Sequence, residues 1–142
     1  MVDIMKAARY FIFLSYGKNK YSLTPLKLQK LLYLAQGWSF VWDGISAFPE
    51  EFEAWQYGPV NEKVYEYFKK YGRREIPERE GIGFISDHKV SETLKAVWNE
   101  YGKKSAYDLV ELTRRQTPWQ YAYANHQAIT NNSIKNYFQS TF

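Results

Sequence analysis

The sequence predicts a mainly α fold, a compact bundle of about seven helices with at most a short β-hairpin or extended segment. Three observations carry this. Apolar residues recur at i, i+3, i+4 and i+7 in one stretch after another, the repeat of helices with one buried face. Thr24-Pro25 and Thr117-Pro118 each read as a helix start, because threonine caps free amides and proline fits the first turn. Room for extended structure is confined to the neighbourhoods of residues 50–57 and 83–86. No linker or low-complexity tract divides the 142 residues, so one domain over 1–142 is expected.

Residues 2–16 place Ile4, Ala8, Phe11, Ile12 and Leu14 at helical spacing, and Gly17 is expected to end that helix in the left-handed conformation. From Thr24 to about Trp42, Leu28, Leu31, Leu32, Ala35, Trp38 and Trp42 form one stripe, widened by Leu26, Leu34 and Val41. Lys27, Lys30, Tyr33 and Gln36 are left to mark a wet side. A helix this apolar is expected at the centre. Gly37 inside it costs about 1 kcal/mol relative to alanine, which close approach of a neighbouring backbone would explain.

Asp43-Gly44 signals a turn. Phe52, Ala54 and Gln56 then alternate with Glu53, Trp55 and Tyr57, which permits an extended segment. Gly58-Pro59 is expected to stop it and lead into a helix. Val60, Val64, Tyr67, Phe68, Tyr71 and Gly72 match Val90, Leu94, Val97, Trp98, Tyr101 and Gly102 thirty positions later. A common core pattern ending in a Tyr-Gly stop accounts for this more simply than duplication. Residues 73–86 read as a charged loop, and Gly81-Ile82-Gly83 lacks the rest of a phosphate-binding pattern. Ser105-Ala106-Tyr107-Asp108 resembles a capping box opening a helix, and Thr117-Pro118-Trp119 opens another. Asn131 or Asn132 is expected to cap a last short helix carrying Ile134, Tyr137 and Phe138.

Cysteine is absent, which excludes thiol nucleophiles, thiolate metal ligands and disulfides and fits a reducing, cytoplasmic setting. The first residues lack the basic and apolar regions of a secretory signal, and no run of about 18 apolar residues suggests a membrane span. The net charge of +4 is mild and spread over pairs such as Lys69-Lys70, Arg73-Arg74, Lys103-Lys104 and Arg114-Arg115, mostly beside expected helix ends, where the backbone dipole favours cations. Thirteen Tyr, nine Phe and five Trp are more than a core of this size requires, and the surplus suggests a binding surface.

No constellation for catalysis emerges. Serine has no nucleophile-elbow context. His88 and His126 are far apart and outside any metal-binding spacing, so no metal or other cofactor is expected. Glu50, Glu51 and Glu53 read as a solvated acidic surface rather than a catalytic dyad, one that suits a basic partner. Arg114-Arg115 reads first as a helix C-terminal pair and second as a clamp for phosphate or carboxylate. The most distinctive chemistry is Ala54-Trp55-Gln56-Tyr57-Gly58-Pro59-Val60, with two large aromatics before a Gly-Pro turn. Both a role in nailing the turn to the core and a role as contact surface fit. A helix start after Pro59 could receive a carboxylate.

Thr24-Pro25-Leu26-Lys27-Leu28-Gln29-Lys30-Leu31-Leu32-Tyr33 with Ala35-Gln36-Gly37-Trp38 resembles the opening motif of the Panacea domain, the SocA-like antitoxin or phage-associated GepA family. Phe52 to Val60 resembles its second motif. Tyr101-Gly102, Ser105-Ala106, Leu109 to Thr113 and Pro118-Trp119 resemble its later part, so the resemblance covers nearly the whole chain. It implies an α-helical antitoxin without catalytic residues, whose partner is a cognate toxin and, in one mode, a cytosolic protease to which the toxin is handed. Arg114 departs from the histidine common in the family after the threonine of the later motif, so no role carries over to that position.

Two functions follow. The first is an antitoxin that masks a toxin by direct binding, with Trp55, Tyr57 and Tyr65 around the Gly-Pro turn, then Trp119 and Tyr121, as contacts. The alternative is a nucleic-acid-binding regulator of prophage origin, resting on the positive charge and interleaved aromatics. An enzyme is the least supported class.

Overall fold

A computed structural model describes residues 1–18 and 20–142. Its described residues form seven α-helices and a small antiparallel sheet, the mainly α fold expected. The helices are α1 (Ile4–Ser15), α2 (Pro25–Asp43), α3 (Glu62–Phe68), α4 (His88–Tyr101), α5 (Ala106–Arg114), α6 (Thr117–Ala124) and α7 (Asn131–Thr141). Strands β1 (Phe52–Trp55), β2 (Gly58–Val60) and β3 (Ala128–Ile129) lie in the order β2-β1-β3. Helix α2 is the hub. It packs against α1, α3, α4, α5, α7 and β2, and its Leu28, Leu31, Leu32, Leu34 and Ala35 are fully buried.

Helix α2 starts as the Thr-Pro pair requires: Thr24 Oγ1 accepts from Lys27 N, Pro25 is in the first turn, and Gly44 closes the helix at φ +72°. Its expected wet side does not exist. Lys27, Lys30, Tyr33 and Gln36 are all buried, whereas Leu26 and Trp42 are exposed. Neighbouring elements enclose the hub along most of its length, so these polar positions meet other protein groups instead of water. Gly37 marks a close approach, but of a side chain: the Phe138 ring of α7 occupies the space a Cβ would need.

Several boundaries differ from expectation for identifiable reasons. Helix α1 closes with Tyr16 N on Phe13 O and Gly17 N on Leu14 O, tight i to i−3 bonds that need no left-handed glycine at 17. Gly58-Pro59 is not a stop but part of β2, where Pro59 is tolerated because the strand is at the sheet edge. The cap of α3 is therefore Asn61, and that of α6 is Gln116 rather than Thr117. Thr130, not Asn131 or Asn132, caps α7 by accepting from Ser133 N. Residues 83–86 form no strand. That segment lies along α1, held by Ile82 N on Arg9 O, with Gly81 and Gly83 pressed against Phe13. The third strand is the two-residue β3, paired to Phe52 and Glu53.

Candidate partner-binding groove

Gln29, Lys30 and Gln36 of α2 hold in place the chain between Gly44 and Asn61, which carries the β1–β2 hairpin. Gln36 Nε2 donates to Phe48 O at 2.7 Å, while its Oε1 accepts from Ala47 N at 2.8 Å. Gln29 forms the same two-way clamp with the Asn61 backbone, donating at 3.0 Å and accepting at 2.8 Å. Lys30, 0% exposed, donates to Pro59 O at 2.8 Å. Burial lowers its ammonium pKa to about 7. Tyr33 OH donates to Gln116 Oε1 at 2.8 Å, and burial pushes its pKa up. Lys27 caps the Ser22 and Gly102 carbonyls. Most of these bonds tie α2 to backbone carbonyls and amides of neighbouring segments inside the fold. These polar side chains therefore work as internal braces.

What they brace is one wall of a groove of about 470 Å³, mostly apolar and within the size range of binding clefts. The hairpin supplies Trp55, Gln56, Tyr57 and Val60, α3 supplies Val64, Tyr65 and Phe68, and α2 closes the floor with Leu26 and Gln29. Trp55 and Tyr65 meet edge to face with centroids 4.9 Å apart. Trp55 Nε1 donates to Glu53 Oε1 at 2.8 Å, which fixes the indole. Tyr57, at the hairpin turn, is 59% exposed.

The five aromatics singled out in the sequence divide into three groups. Trp55, Tyr57 and Tyr65 come together in the groove. Trp119 is 6% exposed and donates from Nε1 to Trp55 O at 2.8 Å, stacking on Tyr123 and also covered by the Arg114 guanidinium. It supports the hairpin from beneath and presents little surface to a partner. Tyr121 is 63% exposed but lines a separate depression with Pro118 and Tyr137. Sequence reading passed over Leu26, Gln56, Val64 and Phe68 as groove residues. Only their closeness to the Gly-Pro turn in space marks them, and nothing in the helical stripe sets Leu26 apart from its buried neighbours.

The acidic run near residue 50 is also more structured than expected. Glu50 accepts from Ile4 N at the start of α1, and Glu51 accepts from Asn131 N at the start of α7. Both sit where the helix dipole favours an anion. At the start of α3 the Val64 amide is already engaged, donating to Asn61 Oδ1 at 3.1 Å. Elsewhere Glu80, missed in the sequence, is buried under Tyr71, Arg9 and Tyr67. Burial pushes its carboxyl up, and the bonds from Tyr71 and Arg9 outweigh that, leaving the pKa lowered. No group of three or more His, Asp or Glu side chains able to hold a metal occurs among the described residues. His88 lies exposed beside Glu92, and His126 takes a left-handed φ of +53°.

These features define a mainly α-helical fold whose distinctive motifs build and brace an apolar groove. The chain belongs to the family described as antitoxin SocA-like, Panacea domain, whose model matches residues 28–120. That span includes Trp55, Tyr57 and Tyr65 and ends before Tyr121. The chain is similar to Antitoxin SocA of Caulobacter vibrioides (strain NA1000 / CB15N), 33% identical over 109 residues, which cover 68% of this chain. The match spans 58% of the length of that relative. No solved structure matches the chain. No described helix is long and apolar enough to cross a membrane.

Proposed function

We propose that this chain is a cytoplasmic antitoxin that neutralises a cognate toxin by stoichiometric binding through the hairpin–α3 groove, without catalysis of its own. Membership of the SocA-like family supports the role. The observation that supports the place is the groove itself: aromatic anchors stand part-exposed on a wall fixed by buried hydrogen bonds. Rigid aromatic residues beside a desolvated cleft are the usual hot spots of protein interfaces. The buried polar groups of α2 are turned onto other protein groups, which supports a bracing role for them. Handing the bound toxin to a cytosolic protease is a further step that this masking mechanism permits but does not require.

Co-expression with the product of the adjacent reading frame tests the reading. The wild type should rescue growth, and Tyr57→Ala combined with Tyr65→Ala should lose rescue while keeping its helical signal and melting transition. Both rings are part-exposed, so their loss should cost binding rather than folding. Full rescue by the folded double variant would move the toxin site elsewhere.

Nucleic-acid binding has weaker support. Lys104, Tyr107 and Arg115 do share a depression, but Asp108 and Glu111 line it too and oppose phosphate.

A further inference from the structure

The run Lys69-Lys70-Tyr71-Gly72-Arg73-Arg74 follows the end of α3 and holds four cations and no carboxylate. All four cations are exposed, and Lys69 and Gly72 line the groove. Lys69 is the one charged residue in that lining. The acids nearby are placed or engaged elsewhere. Glu53 accepts from the Trp55 indole and is not part of the lining. Glu80 is buried under Tyr71 and Arg9, with Lys70 3.9 Å away. After Glu75 the chain passes to α1, where Tyr16 OH donates to Ile76 O at 2.6 Å. Glu66 does pair with Lys69 at 2.6 Å, but both side chains are more than half exposed, and so hydrated a pair contributes little. Arg74 donates to the Tyr71 and Lys70 carbonyls, and Arg73 enters no ion pair among the described residues. The apolar groove therefore has one charged end, and that end is positive.

We propose that the groove receives an amphipathic acidic segment of the partner protein, with large apolar side chains seated among Leu26, Tyr57, Val64 and Tyr65 and a glutamate or aspartate meeting Lys69 at the Gly72 end, beside Arg73. This deepens the groove reading above and rests on it: it names the chemistry of the toxin segment. A carboxylate that arrives with its apolar neighbours excludes water from Lys69, which strengthens the new pair over the hydrated one with Glu66. Arg73 supplies a second cation, able to take a carboxylate through two parallel bonds. The chain as a whole carries a net charge of +4, so its field draws an acidic segment in and slows a basic one.

Two labelled synthetic peptides test this. They share one apolar pattern; one carries glutamate and aspartate at its polar positions, the other lysine. Fluorescence anisotropy on the whole chain should show saturable one-to-one binding of the acidic peptide, with the basic one weaker by about tenfold or more. Lys69→Gln with Arg73→Gln should weaken the acidic peptide by about three- to tenfold, and Lys69→Glu with Arg73→Glu should reverse the preference. Lys89→Glu with Lys95→Glu, on exposed positions of α4, changes the net charge equally but should shift binding by no more than about twofold. Circular dichroism confirms that each variant is folded.

Equal binding of both peptides, binding of neither, or acidic-peptide binding that survives the folded Lys69→Glu, Arg73→Glu variant overturns the proposal. An equal loss in the α4 control does so too, since net charge alone would then account for the preference. A labelled oligothymidine that binds more tightly than the acidic peptide and is lost with Tyr57→Ala would make a nucleic-acid strand the occupant, and dimerisation lost with Tyr57→Ala would make it a second copy. The parent reading fails separately. If the glutamine pair loses the peptide yet still rescues from the toxin, the groove binds acidic segments but the toxin docks elsewhere. If Tyr57→Ala loses rescue while charge changes have no effect, the toxin site stands and the acidic character of its occupant does not.

Discussion

The polar face of α2 and the groove beside it reverse the usual placement of side chains in opposite senses. On α2, Lys27, Gln29, Lys30, Tyr33 and Gln36 are buried and each has a hydrogen-bond partner. In the groove, Leu26, Tyr57 and Tyr65 are left part-exposed, with Trp55 between them. Polar residues are inside and apolar ones outside because the two regions solve different problems. The chain from Gly44 to Glu51 forms no helix or strand, and buried carbonyls and amides there, such as those of Ala47 and Phe48, need side-chain partners. The groove has no such debt, and its apolar surface remains open for something else to cover. A sharp division of labour follows: changes on α2 should act on stability, and changes at the groove rim should act on binding.

The largest expected effect lies where the two regions touch. Gly58 has φ +105°, and a Cβ there would stand 2.9 Å from Lys30 Cε and 3.1 Å from Thr113 Oγ1. Lys30 is fully enclosed and anchored on Pro59 O, so it has little room to retreat. Gly58→Ala should destabilise the fold by about 3 kcal/mol, from backbone strain and steric overlap together. Urea denaturation checks this. A variant with wild-type stability would show the hairpin to be loosely seated, and the claim of a braced wall would fail.

Lys30 itself gives the next effect, and it has a pH signature. In the folded chain its pKa is about 7 against an ordinary 10.5. Below about pH 7 the lysine carries its proton both folded and unfolded. Between the two pKa values only the unfolded chain holds the proton, so stability rises with pH across that window. Lys30→Met keeps much of the stem and removes the titration. Wild type should gain on this variant by on the order of 2 kcal/mol between pH 7 and 9, read from paired urea midpoints. Parallel curves would mean the ammonium is hydrated, and the inner face less sealed than its hydrogen bonds suggest.

The same contrast explains what could be read in advance. The helices were legible because their signals are local: Thr24-Pro25, the Ser105 cap and the apolar spacing each act within a turn. The misreading of Lys30 and Gln36 as wet has a physical cause. Periodicity assigns polar residues to solvent, and only the tertiary position of Pro59 O and Phe48 O shows that they have partners inside. The β2 strand was hidden because Gly58-Pro59 is a strong breaker by itself, and edge placement that excuses the proline is a property of the sheet. The groove was legible as far as its local cluster went. Trp55, Tyr57 and Tyr65 are close in sequence and converge. Trp119 and Tyr121 are two apart on one short helix, so one turns inward and the other outward, onto different surfaces.

Tyr121 therefore offers the finest test of the division, because it matches Tyr57 in exposure and chemistry but not in place. Neither ring is buried, so alanine at either position should change stability by no more than about 0.5 kcal/mol. The groove reading requires the two to separate in binding. Tyr57→Ala should weaken capture of the toxin by about tenfold or more, as loss of an interface anchor does, while Tyr121→Ala should leave affinity unchanged. Titration calorimetry on both variants reads the difference directly. If Tyr121→Ala proves the more damaging, the contact surface runs over α6 and α7, and the braced groove serves the fold rather than the partner.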